Sequence, residues 1–329
     1  MSAEITESNN QNGQQKLAKR GLQLPPIIEA AGDKARQKFV EFFIAQISSE
    51  NTRKAYGRAV MQFFEWCQDR DLELEDIGPN IAALYVRTHD GADATVKQHL
   101  AALRKLCDWL VTEQVLSKNP FSPVRGPQLS RTEGDTPALT PEEVRGLFST
   151  LDEEDTIVAL RDRALIGTML YTFGRVGAVV KMKVKDYAPV EAGKRVLHLR
   201  EKGGKRHRVP AHHKLRELMD EYLDVAGIRE EEDSPLFRAA NRSKELTGRR
   251  LNRKRAWDMV KRRARQAGIE KDISPHSMRA TGITSFLEND GELETAQRIA
   301  AHSDSRTTKL YDRRDQRIEQ GEIERVRFD

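Results

Sequence analysis

Six side chains with the functional groups needed to attack a phosphodiester occur in the second half of the chain. They are two arginines, a lysine, two histidines and a tyrosine: Arg175, Lys202, His276, Arg279, His302 and Tyr311. Such an attack needs a nucleophile, positive charge near the non-bridging oxygens and a proton for the leaving oxygen. Together these six groups can supply all three without a metal ion.

The two arginines are candidates for binding the phosphate oxygens, because a guanidinium donates bidentate, charge-assisted hydrogen bonds. Arg279 follows His276 by three residues, about one helical turn, so both can face one phosphate. Arg175 lies in the apolar stretch Tyr-Thr-Phe-Gly-Arg-Val-Gly and should therefore be held by a partner or a ligand. Taken alone, each arginine is also compatible with an ordinary structural role.

Lys202 lies in Glu-Lys-Gly-Gly-Lys-Arg, at the tip of a predicted hairpin, from which an ammonium can protonate a leaving alkoxide. Lys205 is its rival, and a solvated turn lysine is the alternative for either. Tyr311 is the preferred nucleophile, since it lies in a polar, basic stretch close to His302. The other five tyrosines have positions typical of packing: Tyr56, Tyr85, Tyr171, Tyr187 and Tyr222. No Walker-type loop or metal-spaced carboxylate cluster occurs, so we expect no cofactor and no metal.

Hydrophobic periodicity predicts that these groups are positioned by a second, mixed domain that follows a helical one. The boundaries that we predict are a disordered arm over 1–32, a helical domain over 33–121, a linker over 122–138, a second domain over 139–314 and a tail over 315–329. The first domain shows four amphipathic stripes. In the second we predict a hairpin over 194–210 and helices near 141–151, 157–173, 212–226, 251–267, 276–289, 292–300 and 306–313.

The charge distribution favours a polyanionic partner. The 329 residues carry a net charge of only +5, but residues 238–265 hold twelve lysines and arginines against two acidic residues, which leaves +10 there. Over 251–267 we expect Ala256, Trp257, Val260 and Ala264 to pack inward while the basic side chains face a major groove. The DNA-contacting residues that we predict are Arg53, Lys54, Arg58, Lys97, Arg104, Lys105, Arg250, Arg253, Lys254, Arg255, Lys261 and Arg262.

Two classes of protein are disfavoured by composition. No run of about 18 apolar residues is present, so a membrane protein is not expected. The two cysteines, Cys67 and Cys107, lie in helical patterns and are expected to be buried thiols rather than a disulfide scaffold. We therefore expect a cytoplasmic, nucleoid-associated protein.

Over about residues 34–315 the sequence resembles the tyrosine recombinase, or phage-integrase, family. The Tyr-Thr-Phe-Gly-Arg-Val motif is similar to the first arginine box, and Glu-Lys-Gly-Gly-Lys-Arg to the hairpin lysine. Pro-His-Ser-Met-Arg-Ala-Thr matches the His-x-x-Arg box, and the stretch from His302 through Thr307 and Thr308 to Tyr311 matches the final box. The resemblance implies a mainly α fold with a small β-hairpin or sheet in the C-terminal domain. It further implies a two-domain DNA clamp, made of a helical, SAM-like core-binding domain and a mixed catalytic domain.

The resemblance also implies roles for the six residues. Tyr311 would attack a DNA phosphate and leave a 3′-phosphotyrosine and a free 5′-hydroxyl. Arg175, Arg279 and His302 would bind the scissile phosphate, Lys202 would be the general acid, and His276 would assist proton transfer. Partners would be double-stranded DNA with an inverted-repeat site and three further copies of the chain, in a homotetramer that passes through a Holliday junction.

Two positions depart from the family's pattern. An acidic residue is usual three positions after the first arginine, where this chain has Ala178, and a glycine is usual before the second histidine, where it has Ala301. Ala178 favours an alternative in which the protein is a catalytically impaired, sequence-specific DNA-binding accessory protein. A topoisomerase-like enzyme that relaxes supercoils with the same chemistry is a third hypothesis.

Overall fold

The computed structural model describes residues 23–128, 136–190, 194–201, 204–302 and 304–312. The chain divides into two compact units, residues 1–130 and 131–329. Each unit has its own hydrophobic core. The predicted fold class, mainly helical with small antiparallel sheets in the second unit, is confirmed.

Unit 1 consists of helices joined by loops, and none of its described residues lies in a strand. Its helices are α1 (Pro26–Ala30), α2 (Asp33–Glu41), α3 (Glu50–Gln68), α4 (Pro79–Thr88) and α5 (Asp93–Thr112), with a π-helical turn over Phe42–Gln46. The four amphipathic helices predicted for this region correspond to α2 to α5. The aromatic stripe of α3 and the leucines of α5 form the core, in which both cysteines are buried.

The expectation of a disordered arm as far as residue 32 is wrong for its last part. Residues 26–30 form α1, with Pro26 at the first helical position, where its missing N–H is not needed. Ile27 and Ile28 are buried in the core of unit 1, and this apolar burial stabilises a helix that the polar composition upstream did not suggest. Residues 1–22 of the predicted arm lie outside the described residues.

Unit 2 contains the remaining helices and all the strands. The helices are α6 (Pro141–Asp152), α7 (Ile157–Thr172), α8 (Val176–Val179), α9 (His213–Ala226), α10 (Arg253–Gln266), α11 (Pro275–Glu288), α12 (Leu293–Ala300) and α13 (Ser305–Lys309). The strands are β1 (Tyr187–Pro189), β2 (Arg195–Arg200), β3 (Arg206–Pro210), β4 (Arg238–Ala240) and β5 (Leu246–Arg250). The last predicted helix is shorter than expected and ends at Lys309.

Helix α7 is the centre of unit 2 and is buried on nearly every side. Helices α9 and α11 pack against it, which explains why its apolar residues follow no single stripe. Gly282 of α11 permits the close approach of this pair, since a Cβ there would overlap the carbonyl oxygen of Leu170. The end of α7 and the first turns of α11 are thereby brought next to each other.

Strands β1, β2 and β3 form an antiparallel sheet, and β4 pairs with β5 in a second one. The predicted hairpin over 194–210 is confirmed, with Leu199 opposite His207 and Arg200 opposite Arg206. Side chains alternate along β2, so Leu197 and Leu199 face the core while His198 and Arg200 are exposed. The next inward position is Glu201, which is buried.

The basic helix α10 is capped at its N-terminus by Asn252, whose side chain accepts a hydrogen bond from the backbone N–H of Arg255. Ala256, Val260 and Ala264 face the core as predicted. Trp257 does not, because it is the next residue round the helix from that stripe and is 41% exposed. The Nζ of Lys261 lies over its ring, 4.3 Å from the ring centroid. The expectation that Trp257 packs inward is therefore wrong.

One basic residue of α10 is buried. Arg263 lies on the inner side of the helix, where its guanidinium pairs with Asp162 of α7 at 3.0 Å and with Glu154. A buried charge of this kind needs such partners, so Arg263 belongs to the core of unit 2 rather than to its basic surface.

Within the described residues, no helix is long and apolar enough to cross a membrane.

Candidate active site

Arg279 links the C-terminal ends of two helices in unit 2. Helix α11 is capped at its N-terminus by Ser274, whose hydroxyl accepts a hydrogen bond from the backbone N–H of His276. One turn later the side chain of Arg279 is buried, and its guanidinium donates to the carbonyl of Phe173, just after α7, and to that of Ala300 at 2.5 Å, at the end of α12. Carbonyls at helix C-termini lack intrahelical partners and carry partial negative charge, so they hold this cation.

The backbone at both contacts is in the left-handed region. Phe173 has φ +52° and Ala301, directly after α12, has φ +48°. Such a conformation costs a residue with a Cβ about 1 kcal/mol or more, which is why glycine is favoured there. The departure from the family's pattern at Ala301 therefore falls at a position where the structure explains the preference for glycine.

Arg175 immediately precedes the short helix α8 and is held by Glu201. Its Nη1 lies 2.5 Å from Glu201 Oε2, and the guanidinium side chain is 35% exposed whereas that of Glu201 is 2% exposed. The prediction that Arg175 must have a partner is confirmed. Ala178, one turn further on, is buried and has no polar group to offer.

Glu201 was not among the predicted site residues, although the sequence contained a signal for it. The alternation Leu197-x-Leu199-x-Glu201 places the carboxylate on the same face as two core leucines. A charged group on that face should be paired. The identity of its partner, 26 residues upstream, depends on the packing of β2 against α8 and was not available from the pattern.

The site carries excess positive charge. Burial and the neighbouring charge of Arg175 lower the pKa of Arg279 to about 10, while Glu201 acts in the opposite sense. Within the described part of the site, two arginines face one carboxylate. This arrangement leaves a net positive charge in a largely desolvated place, which favours an anion.

His302 follows Ala301, and contacts with Gln297, Thr308 and Tyr311 fix its position. Its backbone N–H donates to the carbonyl of Gln297 at 3.1 Å, its Nδ1 lies 2.9 Å from the hydroxyl of Thr308, and its ring stacks on that of Tyr311 with centroids 6.2 Å apart. Burial, with the charges of Arg279 and Arg175, lowers the pKa of His302 to about 3. The imidazole is therefore neutral near pH 7.

Tyr311 lies beside His302 at the end of the described chain. Its backbone N–H donates to Thr308 at 3.0 Å, and its carbonyl accepts from the hydroxyl of Thr284 at 3.4 Å. The ring also packs against a small apolar cluster formed by Phe173, Ile283, Leu287, Ala296 and Ala300. Because Phe173 and Ala300 also supply the carbonyls that bind Arg279, the same residues position the tyrosine and the arginine.

The structure thus brings together five of the six predicted residues, since burial and the charges of both arginines lower the pKa of each histidine: Arg175, His276, Arg279, His302 and Tyr311. His276 is exposed at the start of α11; partial desolvation and the charges of Arg279 and Arg253 lower its pKa. Lys202 lies outside the described residues, and its rival Lys205 is exposed near the hairpin turn.

The predicted DNA contacts of unit 1 fall into two groups. Arg53 donates to the carbonyls of Phe43 and Ile47, and Arg104 donates to those of Phe121 and Val124, so both guanidinium groups stabilise loops of the fold. Both side chains are half-buried, and their contact with DNA remains a prediction. The other four side chains are exposed: Lys54, Arg58, Lys97 and Lys105.

In unit 2 the predicted contacts lie on β5 and α10. Lys261 is half-buried and pairs with Asp272 at 2.6 Å, and Arg262 approaches Asp162 at 3.4 Å. Lys254 pairs with Asp258 at 3.0 Å within the helix. Five of these six side chains are exposed: Arg250, Arg253, Lys254, Arg255 and Arg262.

The sequence matches two models of one protein family. Residues 137–317 match the phage integrase family, and residues 37–114 match the SAM-like N-terminal domain of phage integrases. The chain is 28% identical over 282 residues to the tyrosine recombinase XerD of Oceanobacillus iheyensis, which covers 80% of this chain and 87% of that protein. Its identity to XerD of Listeria innocua is also 28%, over 83% of this chain and 91% of the relative.

Solved structures show the same fold. The post-cleavage complex of the XerH site-specific recombinase with a palindromic difH substrate superposes with a TM-score of 0.68 at 20% identity, over 89% of this chain and 87% of that one. A lambda integrase dimer bound to a COC′ core site superposes with a TM-score of 0.65 at 16% identity, over 89% of this chain and 97% of that one. Since the catalytic family match alone spans more than half of the sequence, the chain belongs to the phage integrase family, the tyrosine recombinases.

Proposed function

We propose that this protein is a site-specific DNA recombinase that cleaves and rejoins strands through a 3′-phosphotyrosine on Tyr311, with no metal or ATP. The observation that carries the proposal is the position of Tyr311 beside His302, at a site where the positive charge of Arg175 and Arg279 exceeds the negative charge of Glu201. A scissile phosphate is an anion of the size and charge that such a pair of guanidinium groups binds. Family membership makes the same reaction the expected one.

In the proposed step the phenolic oxygen of Tyr311 attacks the phosphorus and the bond from phosphorus to the 5′ oxygen breaks. His276, which is neutral near pH 7 because its pKa is lowered, accepts the proton that the phenol loses, and the departing 5′ oxygen gains a proton from Lys202. Arg175 and Arg279 stabilise the charge that develops on the non-bridging oxygens. His302 is neutral near pH 7, and when the hydroxyl of Thr308 donates to its Nδ1, its Nε2–H can donate a hydrogen bond to the scissile phosphate. Attack of a 5′-hydroxyl on the phosphotyrosine reverses the step and rejoins a strand.

The proposed partner is double-stranded DNA that carries an inverted-repeat site. We assign residues 33–121, together with α1, to the core-binding domain, 139–314 to the catalytic domain and 122–138 to the linker; the predicted tail over 315–329 lies outside the described residues. Four protomers would exchange strands through a Holliday junction, as the lambda integrase tetramer bound to such a junction suggests by analogy. The exposed arginines of α10 would contact the major groove and its phosphates.

The alternative of an impaired accessory protein has lost the observation on which it depended. It rested on Ala178, which deprives Arg175 of the usual nearby carboxylate. Glu201 already supplies a carboxylate to Arg175. No specific observation now favours the accessory role or the relaxing enzyme over recombination.

The test is covalent capture of DNA. We would incubate the protein with DNA that flanks its own gene, in EDTA, and look for a protein–DNA adduct that survives SDS. Wild-type protein should form the adduct, Tyr311→Phe should bind the DNA without forming it, and Tyr171→Phe should behave as wild type. Tyr171 is a matched control, because it lies half-buried against His212 and not beside His302. Binding by the wild-type protein with no adduct would contradict the proposal.

A further inference from the structure

We infer that Glu201 is a positioning residue for the first arginine: its carboxylate, provided from the end of β2, holds the guanidinium of Arg175 in the orientation that binds the scissile phosphate. This inference rests on the proposed function, because it assigns Arg175 to the phosphate. It differs from the family's usual arrangement, in which the acidic residue lies three positions after the arginine. In this chain that position is Ala178.

The burial of the carboxylate is the first argument. The Glu201 side chain is 2% exposed and its Oε2 accepts from Arg175 Nη1 at 2.5 Å. Among the residues that the structure describes, no group hydrogen-bonds its other oxygen, Oε1. Arg175 is the charged group that hydrogen-bonds this buried carboxylate, and a charge-assisted bond of this kind restrains the guanidinium.

The second argument is the freedom that Arg175 would otherwise have. Arg175 precedes a helix of only one turn, and its side chain is 35% exposed. The described contacts of its guanidinium consist of the bond to Glu201. A long, partly exposed side chain samples many rotamers unless something fixes it, and fixing it before substrate binds lowers the entropic cost of the reaction.

The third argument is that Glu201 is itself anchored. Its backbone N–H donates to the carbonyl of Lys205 at 2.8 Å, and its own carbonyl accepts from the N–H of Gly204 at 3.2 Å. On the facing strand, His207 Nε2 lies 2.9 Å from the carbonyl of Ile299 in α12. The hairpin is therefore tied, close to its turn, to the helix that precedes His302, so the carboxylate is held in a fixed position.

Substitution of Glu201 should have different effects if the ion pair only stabilises the fold and if it positions Arg175 for the reaction. A structural pair would alter the thermal stability of unit 2 without acting through Arg175 on the chemical step. A positioning residue should slow cleavage only while Arg175 is present. The effects of substituting the two residues should therefore be strongly non-additive.

The experiment measures single-turnover formation of the covalent adduct at saturating concentrations of the DNA site captured above. Glu201→Gln keeps the length of the side chain and an acceptor for Arg175, and should stay within about threefold of wild type. Glu201→Ala removes the acceptor and Glu201→Asp withdraws it by one methylene; both should be roughly 10- to 100-fold slower, since a displacement near 1 Å can cost that much. DNA affinity should change less than twofold.

The decisive measurement is the cycle with Arg175→Ala. In that background Glu201→Ala should cause no further loss, and the same fold loss as in the wild-type background would overturn the inference, as would a wild-type rate for Glu201→Ala alone. If Glu201→Ala does not fold, Glu201→Asp takes its place in the cycle. The control is Glu154→Ala, which removes a carboxylate from Arg263 far from Tyr311 in the sequence and should lower stability without changing the adduct rate.

A second measurement separates failure of this inference from failure of the proposed function. If the wild-type protein forms no adduct, the proposed function fails, and the crystal structure of Glu201→Ala still tests the contact. The guanidinium of Arg175 should then be displaced by about 1 Å or more, or lack a single conformation, because its fixing partner is gone. An unchanged guanidinium position would overturn the inference regardless of activity.

Discussion

An oxyanion should stabilise unit 2, because the charges of Arg175 and Arg279 together exceed that of Glu201 at the site. Sulfate is a suitable probe, since it is tetrahedral and anionic like the phosphate that the site is proposed to bind. It would sit between Arg175 and Arg279 and accept hydrogen bonds from both. No DNA site needs to be known for this measurement.

The magnitude follows from the pKa of Arg279, which burial and the charge of Arg175 lower from 12.5 to about 10. At 1.36 kcal/mol for each tenfold change in proton affinity, that decrease corresponds to about 3 kcal/mol by which the charged form is disfavoured in the folded protein. Sulfate at about 100 times its Kd contributes about 2.7 kcal/mol, which is within that amount. For a unit of this size the melting temperature should rise by roughly 5–10 °C.

The assay is thermal unfolding in sulfate and in chloride at equal ionic strength. Sulfate also stabilises proteins in general by exclusion from their surfaces, so the quantity of interest is the difference between wild type and Arg175→Ala. Arg265→Ala, which removes an exposed arginine from α10, is the control for binding at the basic surface. A sulfate-dependent shift in Arg175→Ala that equals the shift of wild type would refute the reasoning.

Two further predictions concern the segment around His302. Ala301→Gly should relieve the left-handed backbone at φ +48° and stabilise unit 2 by about 0.5–1 kcal/mol, a rise in Tm of roughly 1–4 °C; an unchanged or lower Tm would contradict this. Because the pKa of His302 falls from 6.5 to about 3, the unfolded chain binds a proton that the folded one does not, and stability should decrease as the pH falls through that window. His302→Gln should make this loss less steep in urea unfolding at pH 7, 6 and 5, and equal slopes would count against the assignment.

The order of helices and the hairpin could be predicted from the sequence because they depend on local signals. Caps such as Thr140 and Ser274, and alternation along β2, act within a few residues and are visible in the pattern. The errors arose where tertiary packing, rather than local composition, decided which apolar residues are buried. Ile27 and Ile28 joined a core, and Trp257 lay just outside the buried stripe of its helix.

The sequence by itself determined which functional groups the protein has. The reaction needs a nucleophile, positive charge and a proton donor whatever holds them, so the types and order of six residues were enough to predict phosphoryl-transfer chemistry: Arg175, Lys202, His276, Arg279, His302 and Tyr311. Only the tertiary structure decided how they are held. The two carbonyls that bind Arg279 and the carboxylate that binds Arg175 come from residues 21 to 106 positions away, and such contacts are set by the packing of helices and strands rather than by any local pattern.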